Sequence, residues 1–184
     1  MTVAVFLGLY ACNDSRKEAD SNDIAEEAND RKFKDNQSEQ DAKFVEEVVA
    51  SNYAEIKLAE LGKQRSRNSD VKEMAQMLLT DHSNSLNELK TLAQAKGISV
   101  PVEENDDAKK KIENFTDESG KDFDNKWCGE MIDQHEENIN QFEKRLDKTE
   151  DPELKTWIGK TLSVLRIHKD KLKACNERIK DSNS

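Results

Sequence analysis

Four stretches of this chain carry apolar residues at a helical period, mostly three or four apart, and this period limits the fold more than any other feature. The last stretch, about 152–179, runs Leu154, Ile158, Thr161, Leu165, His168, Leu172, Cys175 and Ile179. Such spacing puts every member on one side of an α-helix, as a bundle seam requires. A helical period also holds over about 121–148 through Phe123, Trp127, Met131, His135, Ile139, Phe142 and Leu146. Over about 70–96 it runs Val71, Met74, Leu78, His82, Leu86, Leu89 and Ala93. Over about 40–66 it is Phe44, Val48, Glu55, Leu58 and Gly62, with Val45, Val49, Ile56 and Ala59 widening the face.

The breaks between these stretches have recognisable chemistry. Asn68-Ser69-Asp70 separates the first two, and Asp70 with Glu73 reads as a capping box. Gly97 suits the position just past a helix end. Thr149 to Pro152 is a turn, with Asp151 as N-cap and Pro152 as first helical residue. Between the second and third stretches, Ile98 to Asp106 holds Pro101 and is a loop; a short helix follows at about 105–118, carrying Ile112 and Phe115 and ending near Gly120.

The expected fold is therefore all-α: a ferritin-like four-helix bundle over 40–180, with a long crossover containing a short extra helix. Helices of roughly 27 residues are about 40 Å long. The two tight turns make antiparallel hairpins. The connection of roughly 24 residues has two outcomes. If it returns along the bundle, the second and third long helices are parallel, as in ferritin-like folds. If it does not, the bundle runs up-down-up-down.

The first 39 residues have a different character. Val3 to Ala11 is a short apolar run ending at Cys12. It is too short to span a bilayer, which takes roughly 20 apolar residues, and fits the apolar segment of a signal peptide. Leu9-Tyr10-Ala11-Cys12 resembles a bacterial lipobox, although Tyr10 is larger than usual there. The expectation is a lipoprotein signal at 1–11 and a membrane anchor through acylated Cys12. No Lys or Arg precedes the run, so the true start is expected upstream. Residues 12–39 are rich in Asp, Glu, Ser, Asn and Lys and read as a flexible tether. Residues 181–184 read as a disordered tail.

Charge narrows the partners. With 29 basic and 39 acidic residues the net charge is −10. Phosphate backbones are repelled by such a surface, which argues against nucleic acid. It argues equally against electrostatic docking on anionic lipid. The sequence names no protein partner.

His82, His135 and His168 are the three histidines of the chain. Each falls in the apolar stripe and near the middle of its helix. In an antiparallel hairpin, residues at one level have numbers with a constant total. His135 and His168 share the total set by the turn near 151, and Glu55 and His82 share the one set by the turn near 68. One level of the core should thus hold Glu55, His82, His135 and His168. Imidazole and carboxylate donors suit zinc, copper, nickel or iron. Asp81, Asp133 and Glu136 are candidates to support the ligands from behind, and Met131 and Met74 lie within two turns of histidines. Two readings fit: a mononuclear site for one transition-metal ion, or a structural polar network in which Glu55 pairs with a histidine and hydrogen bonds satisfy the rest.

Cys128 and Cys175 share the histidines' register total and lie two turns from His135 and His168 on the same faces. With Cys12 acylated, they form an even pair in an oxidising compartment, so a disulfide is expected. In the chain-entropy model it would stabilise by on the order of 4 kcal/mol.

The chain resembles the bacterial ferritin-like domain-of-unknown-function family 4142. The likeness spans about 41–179. It rests on Ala54-Glu55, Leu61-Gly62, Val71-Lys72, Asp81-His82-Ser83, Leu89, Lys96-Gly97, Phe123-Asp124, His135-Glu136, Asp151-Pro152-Glu153-Leu154-Lys155 and His168. Cys128 and Cys175 lie outside that pattern. The resemblance implies a ferritin-like bundle in the bacterial envelope, periplasmic or at the outer membrane, and no established reaction.

Catalytic signatures are lacking. Ferritin-type di-iron centres use Glu-x-x-His on two helices, but Leu79, Ile132 and Leu165 stand three residues before the histidines. The sequence holds no phosphate-binding glycine loop, catalytic thiol or serine triad. The expectation is a non-enzymatic envelope lipoprotein, an interaction or stress-related module. The alternative is a periplasmic zinc- or copper-binding protein.

Overall fold

The computed structural model of the chain describes residues 20–115 and 118–181. The expected signal at 1–11, Cys12 and residues 182–184 lie outside the described residues. Six helices follow one another: α1 (Ser21–Lys32), α2 (Asn36–Arg65), α3 (Ser69–Ala95), α4 (Asp106–Glu113), α5 (Gly120–Lys148) and α6 (Pro152–Asp181). The four long ones form the bundle.

Their ends are held as helix physics requires. Asp151 caps α6, its Oδ1 accepting from the backbone N–H groups of Glu153 and Leu154 at 3.0 and 2.8 Å. At the other turn the cap is Asn68, not Asp70: its Oδ1 accepts from the N–H of Asp70 and Val71. Gly97 has φ +69°, which lets the chain leave α3 without a Cβ penalty.

Cross-helix contacts give the topology. α2 meets α5 through Gln37–Lys148, Phe44–Phe142 and Ser51–Asn138. α3 meets α6 through Arg178–Asp70, His168–Asp81 and Lys160–Glu88. In both pairs one number rises as the other falls, so both are antiparallel. With antiparallel hairpins α2–α3 and α5–α6, α3 and α5 are parallel. The crossover therefore returns along the bundle, and the ferritin-like alternative is the one adopted. On its way it is pinned to α2: Lys57 pairs with the buried Glu104, and Arg65 donates to the carbonyls of Phe115 and Glu118 at 2.9 and 2.6 Å.

The segment before α2 corrects the expectation of a tether to residue 39. Residues 21–32 form α1, whose Ala25 and Asn29 are buried. Asn29 donates to Glu46 Oε2 at 3.2 Å and to the Ser99 carbonyl at 2.8 Å, and accepts from the Ser99 N–H at 2.8 Å. Lys32 adds a bond to the carbonyl of Gly97 at 2.8 Å. Polar side chains with distant partners, rather than apolar area, dock this helix.

The core has two apolar halves. One gathers Phe44, Val48, Leu89, Phe142, Leu154, Trp157 and Ile158. The other gathers Leu58, Met74, Leu78, Phe123, Trp127, Met131, Leu172 and Ile179. Here Gly62 is required: a Cβ on it would lie 2.7 Å from the Trp127 ring. That ring donates its indole N–H to the Leu58 carbonyl at 2.7 Å. Cys128 and Cys175 sit in the same half as free, buried thiols. The expected disulfide is thus corrected. The register brings the two side chains into one core cluster, where they remain free thiols.

Candidate metal centre

Between the apolar halves lies a polar layer. Asn52 and Glu55 come from α2, Asp81 and His82 from α3, His135 and Asn138 from α5, and His168 from α6. Glu55, His82, His135 and His168 are all buried, His135 completely. The three rings form a near-equilateral triangle, with centroid separations of 5.4, 5.4 and 5.5 Å. One ring nitrogen from each lies within 4.8 Å of the other two.

The hydrogen-bond partners assign the protons on the rings. His82 Nδ1 faces Glu55 Oε2 at 3.0 Å and Asn52 Oδ1 at 3.2 Å, both acceptors, so it carries a proton. Asn52 is held in that orientation because its Nδ2 donates to the Val48 carbonyl at 2.9 Å. His135 Nδ1 faces the Met131 carbonyl at 2.8 Å, with Glu55 Oε1 at 3.5 Å, so it too is a donor. His168 Nε2 donates to Asp81 Oδ2 at 2.9 Å. The opposite nitrogens, His82 Nε2, His135 Nε2 and His168 Nδ1, are left to face one another. His135 Nε2 and His168 Nδ1 stand 3.4 Å apart, and His82 Nε2 is buried with no partner.

Electrostatics fit this assignment at His135 and His168. Burial pushes His135 down to about 4, reinforced by the charges of His82 and His168 and opposed by Glu55. Burial also lowers His168, against the pull of Asp81. Both rings are neutral at pH 7, with a free lone pair. Burial works against charge on His82 as well, but the Glu55 carboxylate and its hydrogen bond win and raise the pKa. Burial alone would raise Glu55; His82, then His135 and His168, hold it down at about 2. Asn138 also donates to Glu55 Oε1 at 3.2 Å.

The expected residues sort by position. His82, His135 and His168 converge. Glu55 lies behind His82 rather than beside it, on the far nitrogen. Asp81 supports His168. Two expectations are corrected. Asp133 is exposed, and Glu136 pairs with Lys173 at 2.7 Å. Each neighbours His135 in sequence, but a helix turns about 100° per residue, which carries both off its inward face. Asn52, Asn138 and the Met131 carbonyl belong to the layer and were missed. The two asparagines had a signal, since each lies three residues from Glu55 or His135 on the same helix face.

The donor set can hold a metal. An imidazole bound at ~2.05 Å puts its ring centre ~3.2 Å from the ion, and tetrahedral angles then space ring centres ~5.2 Å apart. The observed triangle is close to that. Each ligand's remote N–H rests on a carboxylate or carbonyl, the outer arrangement that orients metal-bound histidines. A cavity of about 20 Å³ lies beside the rings, lined among others by Asn52, Ser85, Asn138, Thr161, His82 and His168. That is room for about one water.

A family profile described as a domain of unknown function (DUF4142) matches residues 26–175. No curated protein matches the chain. No solved structure matches it.

Proposed function

The chain belongs to this family of unknown function, and we propose that it binds one transition-metal ion, zinc or copper, through His82 Nε2, His135 Nε2 and His168 Nδ1. The observation that carries the proposal is convergence: three ring nitrogens point at one another while every opposite N–H is held by an acceptor. A purely structural network would set N–H against lone pair. Here it would leave His82 Nε2 orphaned and oppose two acceptors at 3.4 Å, arrangements that buried polar groups avoid. A cation at the centre resolves both. Glu55 and Asp81 then supply negative charge to the remote sides of two ligands, and a water in the adjacent cavity is an exchangeable fourth ligand.

The test is metal analysis of untagged protein after incubation with zinc and with copper(II), followed by dialysis. Wild type should retain one more ion per chain than a His135→Ala/His168→Ala double variant whose circular dichroism shows it folded. Equal, negligible retention by both would remove the proposal.

Binding rather than turnover is the activity we propose. The layer lacks Glu-x-x-His pairs, and its carboxylates are engaged in orienting histidines. The setting we propose is the bacterial envelope, with the bundle tied to a membrane through acylated Cys12; this rests on the lipobox-like sequence alone. Cys12→Ser should release the protein from the membrane fraction, and an unchanged distribution would refute the anchor.

A further inference from the structure

We propose that Cys128, Cys175 and Met74 form a second metal site, separate from the three-histidine centre and suited to copper(I). The first observation is where sulfur lies. Among the described residues Met74, Met77, Cys128, Met131 and Cys175 all belong to one half of the bundle, four in its core and Met77 packed against it. The other half's core holds none. The two thiols come from α5 and α6 and lie in one core cluster, close enough for each to shift the other's pKa. Met74 reaches the same place from α3. Met74 and Cys175 line one pocket of about 330 Å³ together with Met77, Ala174, Asp70, Glu73, Lys171 and Arg178. Cys175 is otherwise only 1% exposed. A pocket lined by two thioethers therefore leads from the surface to the Cys175 thiol. At the pocket, Met77 Sδ lies 3.2 Å from Lys171 Nζ.

The second observation is a buried carboxylate oxygen without a hydrogen bond. Asp124, one turn before Cys128 on α5, is 4% exposed, and its Oδ1 has no hydrogen-bond partner. Its charge acts on both sulfurs and works against a thiolate on either. The charges of Lys180 and Arg178 act the other way, on Cys128 and Cys175 respectively. The neighbouring Cys128 lowers the pKa of Cys175, while Cys128 itself is pushed up as a thiol.

Ligand softness selects the ion. Thiolate with thioether suits copper(I), whereas magnesium and calcium take oxygen ligands. On binding, the ion forms bonds to both Sγ atoms and to Met74 Sδ, and the thiol protons leave to solvent. Neither the sulfurs nor the copper change oxidation state.

The experiment is an anaerobic titration with copper(I) held by the coloured chelator bathocuproine disulfonate. It uses the His135→Ala/His168→Ala variant, so failure of the histidine centre and failure of this site remain distinct. That variant should withdraw one copper(I) per chain, with sulfur neighbours in its X-ray absorption spectrum. Adding Cys128→Ser/Cys175→Ser should abolish uptake. Met74→Leu, close to isosteric and so tolerated in the core, should lower the number of sulfur neighbours by one. No uptake by the histidine variant, undiminished uptake after loss of the cysteines, or an unchanged spectrum in Met74→Leu would each overturn the proposal.

Discussion

Replacing Asp81 separates metal affinity from fold stability. The carboxylate accepts the His168 Nε2–H at 2.9 Å and so directs the Nδ1 lone pair at the other two rings. Its side chain is 42% exposed, and a pair so open to solvent adds only ~0–1 kcal/mol to folding. For metal binding its role is larger. Removing an outer partner of a liganding histidine typically costs 10–100-fold in affinity, about 1.4–2.8 kcal/mol. Asp81→Asn keeps an oxygen that can accept the N–H, so the tautomer survives and only the charge is lost. It should sit near the tenfold end. Asp81→Ala also frees the tautomer, so part of the population turns an N–H towards the site. It should sit near the 100-fold end. The assay is competitive zinc titration against a fluorescent chelator, with urea denaturation of the metal-free proteins in parallel. Zinc binding by Asp81→Ala as tight as wild type would refute the argument, because the held N–H would then have no bearing on the centre.

Two further substitutions test the frame around the layer. Gly62→Ala should destabilise the protein in urea: overpacking against the Trp127 ring, 2.7 Å from the new Cβ, costs about 1–3 kcal/mol and outweighs a helix-propensity gain of about 1 kcal/mol; a stabilised variant would show that the ring yields freely. Glu46, beneath α1, has its pKa raised by burial from 4.5 to about 7, against the hydrogen bond from Asn29. A carboxyl raised on folding contributes stability that is complete below its unfolded pKa and is lost as pH climbs through the folded one. Glu46→Gln should therefore match wild type near pH 4.5 and exceed it at pH 8 by about 1–2 kcal/mol after allowance for solvent screening. Parallel pH-stability curves for the two proteins would contradict this.

The bundle was legible because its signal is repeated: an apolar stripe recurs along each long helix, and two polar turns end in recognisable caps. The register then followed from numbering alone, which is why Glu55 was placed against His82 and Cys128 against Cys175. What the register could not give was direction. Glu55 and His82 share a level, yet whether the carboxylate stands beside the ring or behind it depends on rotamers. The Met131 carbonyl is a backbone group that every residue carries, so no side-chain pattern reports it. α1 was read as tether because its composition is that of a solvated segment; its docking depends on Asn29 reaching Ser99, 70 residues away, and no local pattern records such a partner. The two thiols were correctly brought together, but proximity did not make the bond.

The central claim is that three named nitrogens share one ion. Crystals grown with zinc and measured on both sides of its absorption edge test this directly. The account predicts one anomalous peak inside the ring triangle, about 2.1 Å from His82 Nε2, His135 Nε2 and His168 Nδ1, with Glu55 and Asp81 still on the far sides of their histidines. A triangle without a peak, or an ion held by the Glu55 carboxylate with His82 turned away, would contradict it.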